Sequence, residues 1–391
     1  MTTTSPASLP DRWPRSEGPG LYIHVPFCQS KCPYCAFYSI RPKAGQFDLW
    51  ARATLVEIRR VRDALQAAGQ RLATIYFGGG TPSVLPDEIW QQIISAVETL
   101  PQTDHPEITV EANPESLTPG KLRLWHDLRA TRISLGVQTL DNAALRRIAR
   151  PHTAARALSA VDEALSAGYR VSCDLIFGLP CQTLRDWHND LIRLVATGIT
   201  HISVYQLTIE ERSAWGHRPP ANLPDGYPMY RWAQYLLPHK GLRQYEIASF
   251  ARPGHESRHN LAYWRRTDVH AIGPAAWSYL RGTRSANVRD LESWAAAVLT
   301  GANPIDYQET LRGAHEASEA AILALRTRWG IEIEPFAARY GEDYTREILR
   351  RLDGLPAAYI ARTTGAVALT PRGMRVGNAI WTELLDLDTK E

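Results

Sequence analysis

This sequence predicts an α/β fold with parallel strands, joined to a smaller, mainly helical C-terminal domain. Three observations predict it. Strand-like and helix-like segments alternate through the first 210 residues or so, the last ninety residues read as mostly helical, and the 391-residue chain is 44% apolar and 22% charged. That composition supports a buried core and excludes disorder throughout. Strand–helix alternation implies parallel strands with right-handed crossovers. Pattern alone leaves strand order open, so a barrel-like and a doubly wound sheet both remain.

The elements follow in order. Residues 20–25 are a short apolar run, a strand, and residues 46–68 have helical periodicity and no proline. Residues 73–77 are β-branched and aromatic and run into glycines, and residues 86–100 form a helix opened by proline. Residues 107–111 alternate as a strand does, and a threonine caps a helix over residues 118–130. Residues 132–136 are a strand, with helices from Asp141 and Thr153; residues 169–177 are a strand, 183–196 a helix and 201–207 a strand. Beyond these six strands the alternation loosens. Residues 210–228 are a Pro-, Gly- and Trp-rich loop, 227–238 a helix, 242–248 one more strand, and 252–276 irregular and aromatic. An Ala-rich helix spans residues 309–329, and residues 359–369 have hairpin character around Thr363-Thr-Gly365. The predicted divisions are a polar tail over residues 1–19, a barrel and its extension over 20–300, and a helical, winged-helix-like domain over 301–391.

No run approaches the ~20 apolar residues of a membrane-spanning helix. The first twenty residues lack the apolar stretch of a secretory signal, which predicts a cytoplasmic protein. The net charge of +3 does not call for nucleic acid or an anionic membrane. A remote nucleic-acid-binding alternative rests on Arg326, Arg328, Arg346, Arg350 and Arg351, but arginines at helical spacing usually form a solvated face.

Cysteine placement points to a metal site. Of the five cysteines, Cys28, Cys32 and Cys35 fall within eight residues, directly after the first strand, as CxxxCxxC. An odd number in a chain long enough to bury its own core argues against a disulfide framework. Three thiolates on one loop can hold three irons of a [4Fe–4S] cube and leave the fourth open, whereas full protein ligation uses four cysteines. Structural zinc also wants four ligands; His24 could be a fourth, but this spacing is unusual for a zinc knuckle. Cys173 and Cys181 read as free thiols.

This run at the end of a first strand resembles the signature of the radical S-adenosylmethionine (SAM) superfamily. Tyr22-Ile-His-Val-Pro-Phe-Cys28 through Cys35 resembles one branch, oxygen-independent coproporphyrinogen III oxidase and its relatives. The resemblance implies a partial (β/α)6 TIM-like barrel in which a cube reduces bound SAM. It implies SAM contacts at Tyr22 and Tyr34. It also implies them at Gly79, Gly80 and Thr81 of Phe77-Gly-Gly-Gly-Thr-Pro82, similar to the superfamily's GGxxP element. Glu111, Gln138 and Asp174 at or just after strand ends, and Arg150 before Pro151, match the remaining SAM contacts in order. Arginine suits the SAM carboxylate, and the others offer acceptors to its ammonium and ribose hydroxyls.

One departure divides the branch. The oxidases carry a further cysteine two residues past the third, where this chain has Phe37, and a longer segment before the position of Tyr22. Both differences match HemW-type haem chaperones, as does His259-Asn-Leu-Ala-Tyr-Trp264, similar to an HNxxYW motif linked to haem binding. The resemblance thus implies a chaperone that binds haem, a [4Fe–4S] cluster and SAM and delivers haem to client haemoproteins, with His259 as the haem ligand. The alternative is the oxidase itself. Coproporphyrinogen oxidase activity is not expected, and any other enzymatic activity is left open. Nucleic acid is not expected as a partner; peripheral membrane association and a dimer are left open.

Overall fold

The strands β1 (Gly20–Val25), β2 (Leu72–Gly79), β3 (Gln102–Ala112), β4 (Arg132–Gln138), β5 (Arg170–Phe177) and β6 (His201–Gln206) pair in chain order, every pair parallel. This is a computed structural model that describes Trp13, residues 17–385 and Leu387. Most of the tail expected over residues 1–19 lies outside the described residues. Between the strands run α1 (Gln46–Ala67), α2 (Asp87–Val97), α3 (Pro119–Asp127), α4 (Asn142–Arg147), α5 (Ala154–Ser166) and α6 (Leu184–Ala196). The helix starts follow local chemistry. The side chains of Thr118, Asp141, Thr153 and Thr183 each accept a backbone N–H of the first turn, and Thr183 with Asp186 completes a capping box. β1 and β6 do not pair, so the six units form the expected partial barrel rather than a closed one.

Strand alternation sorts the side chains onto two faces. Leu21, Ile23 and Val25 of β1, Ile75 and Phe77 of β2, and Ile133 and Leu135 of β4 belong to the main apolar core shared with the helices. Their alternating neighbours face inward and are mostly polar. At one level of the interior, Arg132 Nη2 donates to His201 Nδ1 (3.3 Å), Ser172 Oγ meets the same nitrogen (2.7 Å), and His201 Nε2 meets Tyr245 Oη (2.8 Å). Burial holds His201 well below the usual histidine range, with Arg132 adding to the effect. This network sits away from the cavity described below and satisfies buried groups that would otherwise be costly.

After β6 the chain forms a short α7 (Ala214–His217) and then α8 (Tyr227–His239). The single strand expected over residues 242–248 is instead two short antiparallel strands, β7 (Arg243–Gln244) and β8 (Ser249–Ala251), and β8 caps the sheet beside β6. The stretch expected to be irregular contains α9 (Arg258–Trp264) and β9 (Val269–Ile272), and β9 pairs parallel with β1. Four residues are too few for periodicity to show, and the pairing with β1 is long-range. β10 (Trp277–Leu280), β11 (Thr283–Asn287) and β12 (Ile305–Thr310) continue this edge antiparallel, carrying the sheet past residue 300. β12 is largely exposed, so it lacks the apolar alternation that marks a half-buried strand.

Between β11 and β12 lies α10 (Leu291–Thr300), packed on α1. Then α11 (Gly313–Leu325), β13 (Ile331–Glu332), α12 (Ile333–Tyr340), α13 (Glu342–Asp353), β14 (Ile360–Arg362), β15 (Ala366–Leu369), α14 (Pro371–Arg375) and α15 (Gly377–Thr382) enclose a second apolar core. β14 and β15 form the expected hairpin. The arginines singled out here are engaged. Arg346 pairs with Asp343, Arg350 and Arg351 pair with Glu347, and Arg326 lies between the rings of Trp264 and Trp381.

One buried carboxyl ties α1 to the turn after β9. Glu57 accepts the Gly273 N–H at 2.8 Å. Gly273 has φ +102°, and a Cβ there would meet the His24 carbonyl oxygen at 2.7 Å. Burial raises the Glu57 carboxyl from 4.5 to about 7, with the Gly273 bond offsetting part of the effect. Its folded-state pKa is the higher one, so its contribution is fully present below pH 4.5 and is lost as pH rises through 7. That gap corresponds to about 3 kcal/mol. The stability of Glu57→Gln relative to the parent should therefore improve by up to about 3 kcal/mol between pH 4.5 and 8, measured by denaturant unfolding at each pH. Parallel pH profiles for the two proteins would contradict this.

Candidate functional site

The inward faces and the C-terminal strand ends enclose a cavity of about 810 Å³. All twelve residues that the sequence assigns to the cluster and SAM line it. Function gathers at this end of parallel βα structures because the loops there are free to vary.

The cysteine loop follows β1 directly. It folds back so that Ile40 N–H reaches the Pro26 carbonyl (2.7 Å) and Cys28 N–H reaches the Ile40 carbonyl (2.9 Å). Cys28, Cys32 and Cys35 are free thiols. Burial pushes the Cys35 thiol up, and the neighbouring Cys32 and Cys28 add to this. Thiols crowded on one loop are donors that a bound cluster deprotonates. A cube takes thiolates at separate corners, so its ligands need not converge on one point, and among the described residues no three His, Cys, Asp or Glu groups do. The donor set fits three-cysteine ligation. Cys173 does not join it; it is buried in the outward core. Cys181 is exposed. His24 lines the cavity, but Nδ1 meets Tyr22 Oη and Nε2 meets the Tyr38 carbonyl, both at 3.0 Å.

The glycine run lies against this loop. A Cβ on Gly80 would meet the Phe27 carbonyl oxygen at 2.6 Å and the Val25 carbonyl oxygen at 2.8 Å. Gly79 has φ +110° and its N–H donates to Glu111 Oε2 at 3.1 Å. Thr81 Oγ1 lies 3.5 Å from Cys28 Sγ and accepts from Asn113 Nδ2 at 3.1 Å. Glu111 also accepts from Tyr76 Oη at 2.7 Å. Burial raises its carboxyl to about 7; the Tyr76 bond lowers it, and the charge on Asp174 raises it further. Asp174 is likewise raised by burial, with Arg132 and the hydroxyls of Ser134 and Ser203 opposing. A register shift between Gly136 and Gln138 marks a bulge, and Gln138 takes φ +66°. Bulges of this kind re-aim a side chain beside a site. Arg150 is half-buried; Nη2 donates to Tyr34 Oη at 3.4 Å, and Nε is buried without a partner among the described residues. An orphaned guanidinium in a cavity of carboxylates and thiols fits a ligand carboxylate.

Asn113, Ser134 and Tyr38 are among the cavity residues that escaped the sequence reading. Asn113 and Ser134 had a usable signal, since each shares an inward face or strand end with an assigned residue.

The expected haem ligand is the exception. His259 does not line the cavity. Ser257 caps α9, and the first turn carries the imidazole inward behind β1 and β2. There Nδ1 meets Thr74 Oγ1 at 2.8 Å, and the rings of Tyr22, Tyr76 and Tyr263 lie within 6.5 Å. Burial, then Arg132, lowers its pKa to about 3, so the ring is neutral. Nε2 is buried without a partner among the described residues, and the rings of Tyr22 and Tyr263, which line the cavity, pack against the imidazole.

Comparison with known proteins agrees with this geometry. The Radical SAM superfamily profile matches residues 22–194. The chain is 30% identical to the heme chaperone HemW of Lactococcus lactis subsp. lactis over 93% of this chain and 96% of that one. It is 37% identical to the heme chaperone HemW of Escherichia coli over 66% and 68% of the two chains. Among solved structures, coproporphyrinogen III oxidase (HemN) from Escherichia coli, described as a radical SAM enzyme, superposes with a TM-score of 0.82 over 94% of this chain and 90% of that one at 21% identity, a likeness of fold. The chain belongs to the HemW family of heme chaperones within the radical SAM superfamily.

Proposed function

We propose that this protein is a haem chaperone of the reducing cytoplasm, which holds a [4Fe–4S] cluster and SAM in the barrel cavity, binds haem and delivers it to client haemoproteins. The observation that carries this reading is Phe37. It occupies the position of the oxidases' further cysteine, and its side chain, 72% exposed, stands at the cavity. Against the nucleic-acid alternative stand the engaged arginines of the C-terminal region.

Cys28, Cys32 and Cys35 would ligate the cluster, which supplies single electrons when bound. Arg150 would bind the SAM carboxylate through its unpartnered edge. Glu111 holds Gly79 N–H and Tyr76 Oη in place and presents negative charge to an ammonium. Gly80 lets the β2 end approach the cysteine loop closely. Tyr22, Tyr34, Gln138 and Asp174 would complete the pocket.

The test is turnover. Reconstituted protein given SAM, a reductant and coproporphyrinogen III should yield no decarboxylated product, while binding haem under the same conditions. Robust decarboxylation would restore the oxidase.

A further inference from the structure

The cavity has a mouth distinct in chemistry from its depths. Nine of its lining residues are exposed: Lys31, Phe37, Tyr205, Gln206, Thr208, Glu210, Arg212, Trp277 and Arg289. Three are cations, three are large aromatics, and Glu210 is the one carboxylate.

The cations are uncommitted. Among the described residues no carboxylate lies within ion-pair distance of Lys31, Arg212 or Arg289. Among the described residues Lys31 donates to the Ser39 carbonyl alone, at 3.3 Å. Arg289 lies over the Tyr38 ring at 5.9 Å. The adjacent Asp290 is not its partner, because its carboxylate caps α10 through Ser293. Arg212 and Arg289 thus bring to one rim two guanidinium groups that have no carboxylate partner among the described residues.

The aromatics are exposed at the same place. Phe37 is 72%, Trp277 49% and Tyr205 44% accessible. They come from three separate elements: the cysteine loop, the end of β6 and the start of β10. Trp277 leans on Tyr307, itself exposed, with centroids 5.4 Å apart. Exposed aromatics grouped around a cavity mark a binding surface rather than scattered surface residues.

We propose that this mouth is the haem site: the porphyrin plane lies against Phe37, Trp277 and Tyr205, and Arg212 and Arg289 pair with the propionates. The proposal rests on the haem-chaperone reading and adds the location. A flat apolar ring matches the aromatic surface. Carboxylates on its edge match unpaired guanidinium groups, which bind carboxylates bidentately. The place also agrees with the burial of His259, since a ligand at the mouth is held by residues on view rather than by a ring behind Tyr22 and Tyr263.

The test uses the full, cluster-reconstituted chain and two probes, haemin and haemin dimethyl ester, whose propionates are uncharged. The parent should bind haemin about tenfold more tightly than the ester. Arg212→Ala/Arg289→Ala should lose that difference, falling about tenfold for haemin and little for the ester. Phe37→Ala/Trp277→Ala should weaken both probes alike. These side chains are exposed, so the variants should fold, which the cluster spectrum checks. Equal affinity of the parent for the two probes, or full haemin affinity in the double arginine variant, overturns the mouth as the site while leaving the chaperone reading intact. A parent that binds neither probe overturns both.

Discussion

Cys28→Ala, Cys32→Ala and Cys35→Ala proteins, reconstituted anaerobically with iron and sulfide, should each lack the visible absorption of a [4Fe–4S] cube. The three thiols share one loop and one cavity, and any two of them leave the cube with two open corners. No nearby thiol can substitute. Cys173 points into the outward core, and Cys181 lies outside the cavity lining. Cys173→Ala and Cys181→Ala should therefore keep the spectrum. Burial, with the Asp174 charge adding to it and Arg132 opposing, shifts the Cys173 thiol strongly upward, the behaviour of an inert structural cysteine. Loss of the cluster in Cys173→Ala, with the fold intact by circular dichroism, would show that three ligands are not enough.

The second large effect is expected at Arg150. Among the described residues it carries a buried donor without a partner, and its one side-chain hydrogen bond, to Tyr34 Oη, is long at 3.4 Å. Buried polar groups in native proteins are rarely left unsatisfied, and a ligand carboxylate would complete this one. Losing a charge-assisted contact of this kind costs about 1.5–3 kcal/mol, or roughly ten- to a hundredfold in affinity. Arg150→Ala should weaken SAM binding by that factor in calorimetry and leave the cluster spectrum unchanged. Arg150→Lys should recover only part of it, since an ammonium cannot reproduce the planar fork. Unaltered SAM affinity in Arg150→Ala would remove this residue from the site.

Much of the barrel was legible because its strands carry two messages at once. In β2, Ile75 and Phe77 report the helix-covered face while Tyr76 and Gly78 report the interior. In β4, Ile133 and Leu135 alternate with Ser134 and Gly136 in the same way. The cysteine spacing and the glycine run then mark which end of the strands holds the site. What lay beyond reading was set by long-range pairing. β9 is four residues long and exists because β1 offers it an edge. The bulge that turns Gln138 depends on the register between β4 and β5, which no local pattern reveals. His259 shows the same limit at the level of one side chain. Its motif is plain in the sequence, but its burial follows from α9 packing on β2, a contact that no local pattern reveals.

The α9 segment also links the two cores. Trp264 at its end lies over Arg326, which faces Trp381 on its other side, and Arg266 just beyond pairs with Glu316 and Glu319 of α11. Tyr263 of the same helix lines the cavity. The HNxxYW-like segment thus runs between the cavity and the C-terminal core.

The central claim is that the chain carries haem rather than oxidising a haem precursor. The most direct measurement loads the cluster-reconstituted protein with one equivalent of haem, removes the excess, adds an apo-haemoprotein and follows the Soret band. Stable binding to this protein is expected, then movement of the band to that of the acceptor's holo form at a rate faster than spontaneous haem release. Absence of haem binding, or haem that stays bound in the presence of competent acceptors while coproporphyrinogen III is decarboxylated under reducing, SAM-replete conditions, would contradict it.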